Sequence, residues 1–373
     1  MSALRDKPEV GVGQLDFRVS TADIAGASLL RCTGDLKDVV GYNHRPAGGP
    51  MRRREFITLL GGAAAARPFA ALAQQPVKET RIGVLASQLL PPVRRFARKL
   101  RELGYVEGQN LRIEYRFAEG HDDRYPAMAA ELVALPVDLI VTSGTPAALA
   151  AKRATSTIPV VMGTIGEAVS TGLVSNLARP GGNITGFAAL NLELEGKRLQ
   201  LLKDLLPRLS HVGMLVNTMN PLFDVSLISL RSAAKALGLT LNLFEIRNKD
   251  EIENALLRLD QARPDGVVVA ADTVLLSNRR EIAAALAKAR LPAIYAFREY
   301  AEVGGLLVYG ADLGVLFEGA AGYVDKIVKG AKPGDLPVQQ ATEFELIVNL
   351  KIAAALDLKI PPSLLGRADE VIE

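Results

Sequence analysis

Cysteine is almost missing from this chain: Cys32 is the one thiol in 373 residues. Histidine is nearly as scarce, with His44, His121 and His211 the full complement. No H-E-x-x-H helix, G-x-S-x-G elbow or P-loop occurs, and no His/Cys cluster has metal-ligand spacing. His121 lies in "AEGHDDRY", where Asp122 and Asp123 signal a helix start, and His211 opens a strand, so both read as structural or solvated. "GVGQLD" (11–16) fails the glycine spacing of a dinucleotide fingerprint. These absences argue against an enzyme, against a metal site and against any cofactor. Tryptophan is absent and aromatic residues make up 5%, which leaves no membrane-interface belt and no base-stacking platform. Net charge is +3 with both signs interspersed, so the clustered basic face of a nucleic-acid binder is missing as well. Beyond residue 75 no apolar stretch reaches the roughly 20 residues that span a bilayer, and a soluble product is expected.

What is present begins with "MRRREFITLLGGAAAARPFAALAQQ" (51–75). Arg52, Arg53 and Arg54 form a cationic start, Phe56 to Ala66 a short apolar run, and Ala71-Leu72-Ala73 a small-x-small cleavage pattern. The Arg53-Arg54-Glu55-Phe56-Ile57 core resembles a twin-arginine export signal, although Arg52 replaces the usual Ser or Thr and Arg67 interrupts the apolar stretch. An amphipathic or buried internal helix is the alternative. Residues 1–50 show no sustained period and end in the coil-forming "RPAGGP". Translation is therefore expected to start at Met51, with 1–50 a mis-assigned or disordered extension. The exported product would then lack Cys32 and have neither disulfide chemistry nor a thiol nucleophile.

From residue 76 onward, short β-branched runs alternate with helical patterns. Strands are predicted at "RIGVLAS" (81–87), "NLRIEYRF" (110–117), "VDLIVTSG" (137–144) and "IPVVMGT" (158–164), with helices between them. Continuous apolar runs, rather than alternation, indicate parallel strands covered on both faces. The order then repeats in "HVGMLVN" (211–217), "TLNLFEI" (240–246), "PDGVVVAAD" (264–272) and "LPAIYAF" (291–297), at an offset near ~130 residues. "KALGLT" (235–240) matches "RELGY" (101–105). An α/β chain of two doubly wound parallel-sheet lobes follows. The later segments "GGLLVYG" (304–310), a helix at Leu313–Lys329 and "EFELIVNL" (343–350) are too few for a third domain, and are expected to cross between the lobes as a multi-strand hinge. The expected division is 76–189 plus 305–338 for lobe I, and 190–304 plus 339–373 for lobe II. Two such lobes can close on a small molecule, because ligands of open parallel sheets lie beyond the carboxyl ends of the strands.

Several motifs taken together resemble the substrate-binding component of an ABC-type importer, a family of type I periplasmic binding fold whose relatives include aromatic amino acid binding proteins. They include "ELGYVEGQN", "DLIVTSGTPAALAAKRATSTIPVVM", "LARPGGNITGF", "LPAIYAFREYAEVGGLLVYG", "YVDKIVKGAKPGDLPVQQ" and "NLKIAAALDLKIPPSLLGRADEVIE". The resemblance covers 51–373 and implies a periplasmic receptor that hands a small-molecule solute to a membrane permease. Such a receptor would be monomeric and would bind no nucleic acid. Two segments depart from the family pattern. "SQLLPPVRRF" (87–96) is short for a cleft loop, and "GTIGEAV" (163–169) lacks an Asp-Pro-containing turn. A ligand-sensing receptor ectodomain of the same fold is the main alternative, and a periplasmic enzyme a weaker one.

Candidate ligand contacts follow from the strand-end rule. Ser143, Gly144 and Thr145, ahead of Pro146, offer hydroxyls and helix-start N–H groups as a carboxylate seat, or an ordinary helix cap. Thr164 and Glu167 follow the fourth strand; Glu167 could accept a ligand ammonium or be a solvated first-turn carboxylate. Ser87 and Gln88 end the first strand. On the second lobe Asn217, Asn220 and Asp272 occupy the matching ends, Asp272 either pairing with an amine or capping a helix. Tyr295, Phe297 and Tyr309 would be apolar cleft walls or core. If one acid and the seat both face inward, a zwitterion such as an amino acid fits best.

Overall fold

The computed structural model describes residues 79–373. The expected extension at 1–50 with Cys32 and His44, and the export signal at 51–75, lie outside the described residues.

In the first lobe β1 (Thr80–Ala86), α1 (Pro91–Glu102), β2 (Leu111–Phe117), α2 (Tyr125–Ala134), β3 (Leu139–Ser143), α3 (Thr145–Ala154), β4 (Val160–Ile165) and β5 (Ile184–Ala188) follow one another. The strands pair in the order β2-β1-β3-β4-β5, all parallel. Every residue of β3 and β4 is buried, as an apolar run covered by helices on both faces requires, whereas edge strand β2 is only partly covered.

The chain crosses after β5 to α4 (Asn191–Leu205). The second lobe then runs through β6 (His211–Asn217), α5 (Phe223–Ala236), β7 (Thr240–Ile246), α6 (Ile252–Ala262), β8 (Gly266–Val269), α7 (Thr273–Ser277), α8 (Arg279–Lys288), β9 (Ala293–Tyr295) and β10 (Leu307–Gly310). Its strands pair as β7-β6-β8-β9-β10, the same order as in the first lobe. The matched LG turns are matched in detail too. Gly104 and Gly238 both take positive φ after a helix, and the next N–H reaches back to the carbonyl five residues earlier, Tyr105 to Leu100 and Leu239 to Ala234.

The chain then returns through α9 (Leu313–Val328), which packs on α1, β4 and β5, and adds β11 (Gln339–Gln340) at the edge of the first sheet beside β5. It crosses a third time to β12 (Glu345–Asn349), antiparallel to β10, and ends in α10 (Leu350–Ala355), α11 (Pro362–Leu365) and β13 (Glu370–Ile372). The hinge is thus three crossings, after β5, β10 and β11. Their positions differ from the expected division at two places. The strand within 304–310, assigned to lobe I, is the fifth strand of the second sheet, because the repeat needs it beside β9 and the chain crosses only after Gly310. Likewise β11 completes the first sheet although 339–373 was assigned to lobe II.

Apolar residues between the first sheet and α2–α3 form one core, and those between the second sheet and α4–α5 form another. A third runs from Val93, Phe96 and Phe317 in the first lobe to Val274, Phe297 and Tyr300 in the second. That continuity shows the lobes shut against each other.

Candidate functional site

A cavity lies between the carboxyl ends of the two sheets, with about 890 Å³ of non-atom space including its mouth. Its polar floor on the first lobe is the β3–α3 turn. Gly144 adopts φ 89° and ψ 154°, a conformation open essentially to glycine alone, and its N–H donates to the Thr164 carbonyl at 2.8 Å. Gly144 has no side chain to cap α3, and Pro146 has no N–H, so the N–H groups of Thr145 and Ala147 keep no intrahelical acceptor. The Thr145 hydroxyl accepts from the Gly166 N–H at 3.1 Å, tying this turn to the end of β4.

The second lobe supplies an acid held by amides. Asp272 caps α7, with Oδ1 accepting from the N–H groups of Val274 (2.8 Å) and Leu275 (3.1 Å). Its Oδ2 accepts from Asn217 Nδ2 (3.2 Å) and Asn220 Nδ2 (2.9 Å). It is therefore a helix cap, but a buried one at 3% exposure. Burial pushes its pKa up, against the pull of those donors. Across the cleft Asp122 of the first lobe faces it. Burial, then the charges of Asp272 and Asp123, push Asp122 up to about 7, with the Asn217 amide opposing.

Apolar walls complete the cavity. Leu90, Pro92 and Val93 from the start of α1 and Phe317 from α9 come from the first lobe, and Leu222, Phe223 and Phe297 from the second. Glu195 enters from the first turns of α4, and Ser226 Oγ donates to its Oε1 at 2.5 Å. Burial pushes Glu195 up to about 7, against the Ser226 hydrogen bond and the Arg198 charge.

The rim is latched. Ser277 Oγ donates to Ser87 Oγ at 2.8 Å, and the Lys249 N–H donates to the Gly120 carbonyl at 3.2 Å. Thr273 of the second lobe lies so close to Gly144 that a Cβ there would meet its Cγ2 at 2.6 Å. His121 sits at this rim, 3.9 Å from Asp250.

Of the residues singled out from sequence, Ser143, Gly144, Thr145, Thr164, Asn217, Asn220, Asp272 and Phe297 line the cavity. Ser87 is spent on the latch, and Gln88 follows it outside the wall. Glu167 is half-buried outside the cavity, with its carboxyl pushed up by burial and by Glu193. Tyr295 stacks on Tyr300 at 4.3 Å in the core, and Tyr309 faces Phe344. Sequence reasoning missed Glu195, Leu222, Phe223 and Phe317. Among the described residues no helix is long and apolar enough to cross a membrane, and no cluster of three or more His, Cys, Asp or Glu could hold a metal ion.

Comparison with known proteins agrees with this architecture. A tyrosine-binding protein of Clostridioides difficile (strain R20291) is 28% identical over 264 residues, 71% of this chain and 76% of that protein. An ABC domain from Streptococcus pneumoniae, solved in complex with L-Trp, is 28% identical with a TM-score of 0.72, over 79% of this chain and 100% of that one. The ligand-free, open structure of a substrate-binding protein with adhesive properties from Clostridium difficile is 25% identical over 79% of this chain and 99% of that one, yet its TM-score is 0.55. At like identity and coverage, the shut lobes superpose better on the L-Trp complex than on the open form. The model of the family described as ABC transporter substrate binding protein matches residues 89–372, and the chain belongs to that family.

Proposed function

We propose that this protein is the periplasmic solute-binding component of an ABC importer. It closes two lobes on a small polar solute, an amino acid or related carboxylate above all, and presents it to a membrane permease. In this reading a signal of twin-arginine type exports the chain, which works as a monomer and performs no chemistry on its solute. The observation that carries the reading is the cavity between the strand ends, where a polar seat faces an apolar wall. The Ser143–Thr145 turn offers hydroxyls and free N–H groups at the positive end of α3 to a carboxylate. The Phe297 and Phe317 side takes an apolar or aromatic body. An aromatic group burying about 150–250 Å² contributes roughly 4–6 kcal/mol before ordering costs. With charge-assisted hydrogen bonds at the seat, micromolar affinity, about 8 kcal/mol, is within reach. The relatives described as binding tyrosine and L-Trp support an aromatic amino acid as the first class to try.

A thermal-shift panel of amino acids, small carboxylates, aromatic acids and purines tests the reading, since a ligand selective for the native state raises the melting temperature. Amino acids with apolar side chains are expected to stabilise the protein. Silence across all four classes would refute it.

A further inference from the structure

Glu195 is a carboxylate on the cavity wall that the protein itself does not satisfy. It is 4% exposed and lies in the first two turns of α4, immediately after the first hinge crossing. Ser226 from α5 engages Oε1, while Oε2 has no hydrogen-bond partner among the described residues. The nearest cation is Arg198, one turn on, but its guanidinium is committed elsewhere. Nε donates to the Tyr309 carbonyl at 2.8 Å and Nη2 reaches Asn191 Oδ1 at 3.5 Å. A buried carboxylate oxygen with no donor costs free energy unless something supplies one.

We propose that Glu195 is the ammonium subsite of the cleft, fixing the amine of an α-amino acid while the acid end lies toward the Ser143–Thr145 seat. This rests on the reading that the cleft takes an amino-acid-sized solute, and it narrows the class to amine-bearing acids. Both other acids expected from sequence are worse placed for the task. All four hydrogen bonds of Asp272 come from the protein, and Glu167 lies outside the cavity. Burial pushes Glu195 up to about 7, and Ser226 and Arg198, the groups facing it, offset only part of that cost. An ammonium on Oε2 supplies the missing compensation. A plain carboxylic acid supplies none and leaves the oxygen stranded, so the site discriminates by the group it would leave unpaired.

The test is calorimetric titration with L-phenylalanine, L-tyrosine and L-tryptophan, each beside its des-amino acid (for phenylalanine, 3-phenylpropanoate). The wild-type protein is expected to bind at least one amino acid at least tenfold more tightly than its des-amino partner. Glu195→Gln is expected to cut that ratio to within threefold, with the thermal unfolding of the free protein checked in parallel. Equal affinity of wild type for an amino acid and its des-amino acid, or an unchanged ratio in a folded Glu195→Gln, overturns the ammonium subsite and leaves the solute-binding reading standing. Binding of neither series to wild type overturns the subsite as an aromatic amino acid site, and the four-class thermal-shift panel then decides the solute-binding reading separately. The wild-type ratio decides the matter even if the variant fails to fold.

Discussion

Closing the lobes should take up a proton at Asp122. This residue belongs to the first lobe, yet in the shut form it is covered by the second, facing Asp272 and Asn217, with Asp123 and Tyr125 beside it on its own side. Neither of its oxygens makes a hydrogen bond of good geometry, and the Asn217 amide offsets only part of the penalty. An opened Asp122 returns to water and titrates near its ordinary 3.8, whereas in the shut form it is pushed up to about 7. The shut state therefore binds the proton more tightly, and closure is favoured as pH falls through the window from about 7 toward 3.8. Between pH 8 and 6 the gain is about 1.4 kcal/mol, a tenfold shift in the ratio of shut to open forms. Glu195 adds a slope of the same sign, so the diagnostic is the part lost on Asp122→Asn. Fluorescence energy transfer between labels on the two lobes reads the ratio directly. The wild type should shift toward the shut form on acidification, and Asp122→Asn should lie further shut at pH 8 with a shallower slope. An identical slope in Asp122→Asn would refute the reasoning.

Further perturbations have distinct signatures. Gly144→Ala places a side chain in a glycine-only conformation and against Thr273, so it should lose about 1–3 kcal/mol of stability and also bind solute more weakly, as thermal unfolding and titration would show. Ser143→Ala is expected to weaken solute binding with little effect on melting. Thr145→Ala strands the buried Gly166 N–H and should cost about 1–3 kcal/mol in chemical denaturation. Ser277→Ala removes the latch to Ser87 and should weaken apparent affinity roughly fivefold, about 1 kcal/mol, mostly through faster release seen in stopped-flow kinetics.

The architecture was legible because buried parallel strands leave continuous apolar runs, and β3, β4 and β8 are such runs. The repeated LG turns reinforced it through a chemical need, glycine at a positive φ. Strand-end positions were legible for the same topological reason, and eight of the residues so chosen reach one cavity. What failed were side-chain directions and crossing points. Tyr295 and Tyr309 stand at strand ends but turn into packing with Tyr300 and Phe344, which residue type does not dictate. The hinge crossing after Gly310 depends on β10 completing the second sheet, a tertiary fact. Glu195 escaped notice because Glu-x-x-Arg on a helix reads as a solvated ion pair, and only the fold buries both residues.

Small-angle X-ray scattering of the protein with and without a saturating amino acid ligand tests the central claim most directly. Binding should shrink the radius of gyration as the lobes shut, and the recovered ligand should be chemically unchanged. Saturated binding with no change in radius, or a ligand recovered as a different compound, would contradict it.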